Sequence, residues 1–375
     1  MIVLVTTPEQ DASPALEPLL DDPLLDDPVA QRRAAVLSVT GLAVSILIAV
    51  LTVMPAAFAI GGPGPTFDTL GEKDGVPLVQ ISGAPTYDST GELRLLTVSV
   101  SDASDTPFTM GRVLAGWVSP KEYVIPREFV FGTPEQADQV SQQAQTDWIS
   151  SQESATVAAL EELGQPVPAV ISVAAVPEGS KATGHLQEGD IIVAIDGTDI
   201  ATYADLSDEL HAKSPGDPVT VTVVREGARV DETFATGDDG DGNAIMGIYV
   251  DPTFTLPIDV TVSIDKVGGP SAGLMFSLGI MDKLTKTDEL NGAKVAGTGT
   301  ITASGNVGPI GGIRMKMWGA HDVGSKFFLA PIENCGEVVG NIPDGLSVFS
   351  VDTLDDAYNA IIAIGKGDTA SLPTC

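Results

Sequence analysis

The rhythm of apolar and polar positions changes several times along the chain, and each change predicts an element. No charged residue occurs from Ala34 to Phe67. Within that stretch, residues 36–60 form an apolar run long enough to cross a bilayer, which takes about 20 residues. Residues 66–130 alternate as strands do, most clearly over 93–100. Residues between Pro134 and Gly164 carry no glycine or proline and are rich in Gln, Ala, Glu and Leu, which predicts one or two helices ending at Gly164. A strand at 170–173 and a turn-rich segment at 177–182 follow. Residues 185–197 (HLQEGDIIVAIDG) read as a turn, a buried strand and a hairpin turn at Asp196-Gly197. Next come a helix around 203–212, a turn at 214–217 and a strand at 219–225. Residues 258–265 alternate cleanly, with Ile258, Val260, Val262 and Ile264 on one side. They lead through Val267-Gly268-Gly269-Pro270 to Ser271 and a helix from about 271 to 284. A further helix follows Gly311-Gly312, with Ile313, Met317 and Ala320 on one face and Lys316 at its margin.

Composition narrows the classes. A chain of 375 residues with 43% hydrophobic residues can bury more than one core. The net charge of −32 argues against nucleic acid, because phosphate binding needs clustered Lys and Arg. The acidity reads as a solvated surface. Two cysteines and three histidines, without a CxxC pair, leave no material for a metal site, and no cofactor is expected. No G-x-x-x-x-G-K-[ST] loop occurs, so no ATP-driven motor is encoded in this sequence.

The apolar run sets the expected location. Residues 1–33 are acidic and read as a disordered tail, and residues 34–60 as a transmembrane helix. Arg32 and Arg33 on its N-terminal flank predict a cytoplasmic N-terminus and an extracytoplasmic remainder. Ala57-Phe58-Ala59 fits a signal-peptidase site, but the apolar run is longer than a cleavable signal's core, which favours an uncut anchor. Export makes a Cys335–Cys375 disulfide an expectation, with two free thiols as the alternative.

Two segments resemble known families. Residues 165–250 run through a small-residue turn, L-x-x-G-D-x-I-x-x-I-D-G (here Leu186 to Gly197, with Gln187-Glu188 and Val193-Ala194 at the variable places), a helix and a final strand. This order is similar to PDZ domains of the bacterial protease-associated type. Such a domain captures an extended peptide by adding it to a strand edge. Its carboxylate-binding loop is expected near 165–169, where the usual Φ-G-Φ pattern is absent. A scaffold that merely positions its neighbour is the bland alternative.

Roughly residues 255–365, within an expected domain at 251–375, resemble the proteolytic domain of Lon proteases, a Ser-Lys dyad family. The family's G-P-S-A-G segment is matched by Gly269 to Gly273, and its G-G-Φ-x-x-K segment by Gly311 to Lys316. The resemblance implies Ser271 as nucleophile, Lys316 as general base and Thr298 as the residue that holds the lysine. Burial at the helix margin should lower the lysine's pKa, so that a neutral amine takes the serine's proton. Backbone groups at Gly269, Pro270 and Ala272 are the expected oxyanion region. Residues 327–334 resemble the family's next strand and its P-x-x-N continuation. Two acidic positions of the family are here Gly268 and Thr300.

Read alone, Ser271 is a helix cap and Lys316 a snorkelling surface lysine; the two motifs together override those readings. G-P-S-A-G also fits the elbow of α/β-hydrolases with His321 as base, but the region is too short for their sheet. A trypsin-like triad fails because the upstream histidines fall in the PDZ-like unit. The expected architecture is α+β: a tail, a transmembrane helix, a small α/β extracytoplasmic region at 61–164, a PDZ-like β-barrel-type domain and a Lon-type α/β domain. The expected function is ATP-independent endoproteolysis of exported or membrane-associated polypeptides. The alternative is a non-catalytic anchored PDZ adaptor. A homo-oligomer, a hexamer, is implied by the resemblance alone.

Overall fold

The computed structural model describes residues 28–73, 75–101, 108–132, 136–240, 242–264 and 267–375. The expected acidic tail falls outside the described residues up to residue 27; from Pro28 the chain is already helical. The helix Pro28–Val53 has 26 residues, none of them buried, and a mean hydropathy of 2.5 in its apolar window. At about 1.5 Å per residue it is roughly 39 Å long, enough to cross a hydrocarbon core of about 30 Å. It ends earlier than residue 60. The Met54 N–H still reaches the Val50 carbonyl at 2.8 Å, but Pro55 has no N–H to extend the ladder. Pro55–Ala56 instead pairs with Phe108–Thr109. In the same compact unit, the Met110 N–H donates to the Met54 carbonyl at 3.0 Å.

The second unit contains a six-stranded mixed sheet. Its order is Ser347–Val351, Phe327–Pro331, Lys294–Gly297, Glu92–Ser101, Phe58–Asp68, Tyr123–Pro126. The first four strands are parallel neighbours, in registers such as Val295↔Phe327 and Lys294↔Glu92. The last two are antiparallel additions, with Phe67↔Leu95 and Ala59↔Ile125. Helices cover both faces. Leu93, Leu95, Val295, Leu329 and Phe349 share a core with helices Gly273–Leu284 and Leu354–Lys366. Leu96, Ala296, Phe328 and Ala330, on the opposite face, pack with Ile313, Met317 and Ala320.

This arrangement corrects the expectation that residues 61–164 stand as a region of their own. Glu92–Ser101 lies in the middle of the sheet, paired to Lys294–Gly297 on one side and Phe58–Asp68 on the other. Alternation identifies a strand but not its partner, and this partner lies some two hundred residues away in sequence. Residues 137–162 form one helix, Ala137–Glu162, whose Trp148, Ala155, Ala158 and Ala159 enter the same core.

A separate sheet runs Ala228–Ala235, Pro218–Arg225, Ile191–Ile195, Ala169–Ala175, Tyr249–Phe254. Its core contains Ile171, Val173, Ile195, Leu206 and Val221. Helix Tyr203–His211 starts at a capping box: the Asp205 N–H donates to Thr202 Oγ1 at 3.0 Å, and the Thr202 N–H to the Asp205 carboxylate at 2.8 Å. Cys335 and Cys375 are joined in a disulfide that closes a 40-residue separation and ties the C-terminus to the six-stranded sheet, where the Ser350 N–H donates to the Pro373 carbonyl.

Candidate active site

Ser271 sits in the turn that follows strand Asp259–Val262, just ahead of helix Gly273–Leu284. Both elements are shorter than the sequence pattern predicts. Gly269 has φ of +83°, a conformation that a Cβ would strain, and its N–H donates to the Ala144 carbonyl at 2.8 Å. The Ser271 carbonyl is held twice, by the Thr298 hydroxyl at 2.9 Å and the Gly299 N–H at 3.1 Å. That approach depends on Gly299. A Cβ there would lie 2.8 Å from Val307 Cγ1 and 3.2 Å from Leu274 Cβ, too close for a side chain.

Lys316 reaches the same point from helix Ile313–Asp322. Its Nζ lies 2.7 Å from Ser271 Oγ and 2.9 Å from Thr298 Oγ1. The lysine is 2% exposed, more deeply buried than a place at the helix margin implies. The reason is that Met315 is buried as well as Ile313 and Met317, so most of the helix surface faces protein. Burial lowers the lysine's pKa to about 7. Near neutral pH a large fraction of the amine is therefore unprotonated, and its lone pair can receive the Ser271 proton.

The expected oxyanion region divides. Pro270 has no N–H, and its carbonyl accepts from Ser151 Oγ at 3.2 Å. The Gly269 N–H is engaged with Ala144. The N–H groups of Ser271 and Ala272, at the start of the helix, have no acceptor among the described residues. A Cβ on Gly268 would stand 3.2 Å from Ala144 Cβ, a tight approach to helix Ala137–Glu162.

One contributor escaped the sequence reading. Asn334 is 4% exposed and clamps Ile310 from both sides, accepting from its N–H at 2.9 Å and donating to its carbonyl at 3.0 Å. Ile310 belongs to the loop that sets the start of the lysine helix. The P-x-x-N pattern signalled the residue but not this role.

A cleft of about 680 Å³ opens beside Ser271 and Lys316. Phe67, Leu96, Val98, Phe131 and Trp148 make much of it apolar. Strand Lys294–Gly297 pairs with Glu92–Ser101 only as far as Leu95. The edge of residues 96–100 therefore borders the cleft and can take up an extended chain.

The small five-strand path holds a second candidate surface, placed differently from the expectation. Residues 165–169 lead into Ala169–Ala175, which is paired on both sides and has no edge to offer. The terminal strand is Tyr249–Phe254, and the residues ahead of it, Met246-Gly247-Ile248, are a Φ-G-Φ sequence. The pattern was missed because it follows the last strand of the predicted order rather than preceding the first.

Comparison with known proteins agrees with this division. Residues 147–234 match the family model of the PDZ domain, and residues 258–363 that of the Lon protease (S16) C-terminal proteolytic domain. The chain joins a PDZ domain to a Lon-type proteolytic domain. Its Lon-type domain is 38% identical over 100 residues to Lon protease of Campylobacter concisus, covering 25% of this chain and 12% of that protein. Lon protease 2 of Bacillus subtilis is 34% identical over 96 residues, or 26% of this chain and 17% of that protein. The chain thus matches less than a fifth of the length of these relatives. The PDZ domain of an SdrC-like protein from Listeria innocua is 28% identical over 22% of this chain and 92% of that chain, with a TM-score of 0.21. The PDZ match starts inside helix Ala137–Glu162 and stops before Tyr249–Phe254; the Lon-type match excludes Glu92–Ser101, which lies at the centre of its sheet.

Proposed function

We propose that the chain is a membrane-anchored, ATP-independent serine endopeptidase with a Ser271–Lys316 dyad. The observation that carries this reading is the approach of Lys316 Nζ to 2.7 Å from Ser271 Oγ, inside a buried site that lowers the lysine's pKa to about 7. Neutral Lys316 donates one N–H to Thr298 Oγ1 and accepts the Ser271 proton as Oγ attacks the scissile carbonyl. The N–H groups of Ser271 and Ala272 hold the oxyanion at the helix start. Lys316 then protonates the leaving amine, and water hydrolyses the acyl-enzyme, returning the proton to the dyad. Thr298 spans the pair, since its own hydroxyl donates to the Ser271 carbonyl.

Substrates lie as extended strands along residues 96–100, and unfolded or flexible segments suit a chain whose sequence has no P-loop motor. The PDZ domain presents polypeptides through the edge of Tyr249–Phe254, the strand that runs on toward Ser271. The helix Pro28–Val53 anchors the protein, with Arg32 and Arg33 favouring a cytoplasmic N-terminus. A signal-peptidase cut after Ala59 would fall inside strand Phe58–Asp68, at a residue with no exposure, which supports an uncut anchor.

The test is cleavage of an unfolded protein such as casein by the full chain, with and without ATP. Ser271→Ala and Lys316→Met should each reduce turnover by at least about 1,000-fold, and ATP should change nothing. Wild-type turnover in Lys316→Met would overturn the dyad, and a wild-type chain as inert as Ser271→Ala would favour the adaptor.

A further inference from the structure

A short helix bonded to the end of the apolar one carries an exposed apolar face. Helix Met110–Val118 buries Val113 but leaves Leu114 at 42%, Trp117 at 56% and Val118 at 85% exposure. These three fall within about 100° of one another around the helix, at spacings of three and four. The start of the helix is tied to the end of the apolar one. Met110 N–H donates to the Met54 carbonyl at 3.0 Å, Thr109 pairs with Pro55, and Gly111 packs against Leu51 and Thr52. A helix bonded to the last turn of a bilayer span begins at the level of the lipid headgroups, where amphipathic helices and tryptophans are stabilised.

We propose that helix Met110–Val118 lies in the lipid interface, inserting Leu114, Trp117 and Val118 as a second membrane contact. This rests on the reading of Pro28–Val53 as a span. Charge favours apolar insertion over electrostatic attraction, since 51 acidic residues against 19 basic ones are repelled by anionic lipid. Trp117 also meets the ring of Phe58 edge-on at 6.0 Å, which fixes its ring at the end of the helix.

The experiment reconstitutes the full chain into phosphatidylcholine vesicles whose acyl chains carry bromine, which quenches nearby tryptophan fluorescence. Wild type should be quenched, and Trp117→Phe should lose the depth-dependent part, because Trp148 is buried in the protein and Trp318 is half-buried against Lys121 and His321. Leu114→Ser/Val118→Ser, checked for native circular dichroism, should reduce quenching while the protein stays in the membrane after alkaline carbonate. Carbonate release of the wild type would overturn the span and this inference together. Retention with identical quenching in wild type and Trp117→Phe would overturn this inference alone. So would a dimer, seen by crosslinking, that Leu114→Ser/Val118→Ser dissolves without any lipid quenching, since the face would then belong to a second copy.

Discussion

At Lys316, burial and chemistry are the same fact. A charged ammonium is costly in that site, so the folded state favours the neutral amine between about pH 7 and the ordinary lysine value of 10.5. Below about pH 7 the folded chain carries the full cost of the buried charge, and this cost is relieved as pH rises. Lys316→Met should therefore abolish turnover without lowering the melting temperature, and should raise it in mild acid. A melting temperature that falls at every pH would mean a structural lysine. Asn334 acts at one remove. Asn334→Ala removes both bonds to Ile310, and kcat should drop by about 10- to 100-fold with KM little changed. Asn334→Asp, which keeps the acceptor for the Ile310 N–H, should recover part of the loss. Asp282 is a second buried titrating group, raised to about 7 by burial and then by the neighbouring carboxylate of Glu289. A raised carboxyl contributes stability that is fully present below about pH 3.8 and is lost as pH rises from there to about 7. Asp282→Asn should consequently raise the melting temperature most at about pH 8 and progressively less as pH falls toward about 4, as scanning calorimetry at both values would show.

Elements differ in how well their sequences announce them. The Ser271 and Lys316 segments were legible because glycines at fixed places bracket each residue: Gly273 lies tight against Ile301 and Ser151, and Gly269 and Gly312 hold positive φ. Gly299 was not legible in that way, since its need for a bare backbone comes from Val307 and Leu274 on other elements. The strand Glu92–Ser101 was recognised as a strand, but its membership in the six-stranded sheet depends on pairing with Lys294–Gly297, which no local pattern records. The Φ-G-Φ sequence at Met246–Ile248 leads into the terminal strand Tyr249–Phe254, at the other end of the domain from the expected loop near 165–169. The C-terminal element offers its own test. The Cys335 side of the disulfide is adjacent to Asn334, and the Cys375 side ends the chain. Closing a loop of 40 residues stabilises the fold by roughly 2–4 kcal/mol. Cys375→Ser should lose that much in urea denaturation and should reduce turnover less than Asn334→Ala does. A larger loss of turnover than of stability would mean that the bridge itself sets the lysine loop.

Across the whole molecule, one chain carries a long apolar helix near its N-terminus, a PDZ domain with a terminal strand, and a Lon-type domain whose sheet draws strands from both sides of the PDZ domain in sequence. Residues 249–254 end the PDZ sheet, and residues 259–262 begin the approach to Ser271, so the PDZ sheet and the Ser271 turn are separated by a short length of chain. The central claim is that a neutral, buried Lys316 activates Ser271. It is tested most directly by the pH dependence of kcat/KM for ATP-free peptide cleavage by the full chain, between about pH 5 and 9. The account predicts an ascending limb with a midpoint near 7, the value burial gives the lysine, and no measurable cleavage at any pH in Lys316→Met. A flat profile, or a limb that persists unchanged in Lys316→Met, would contradict it.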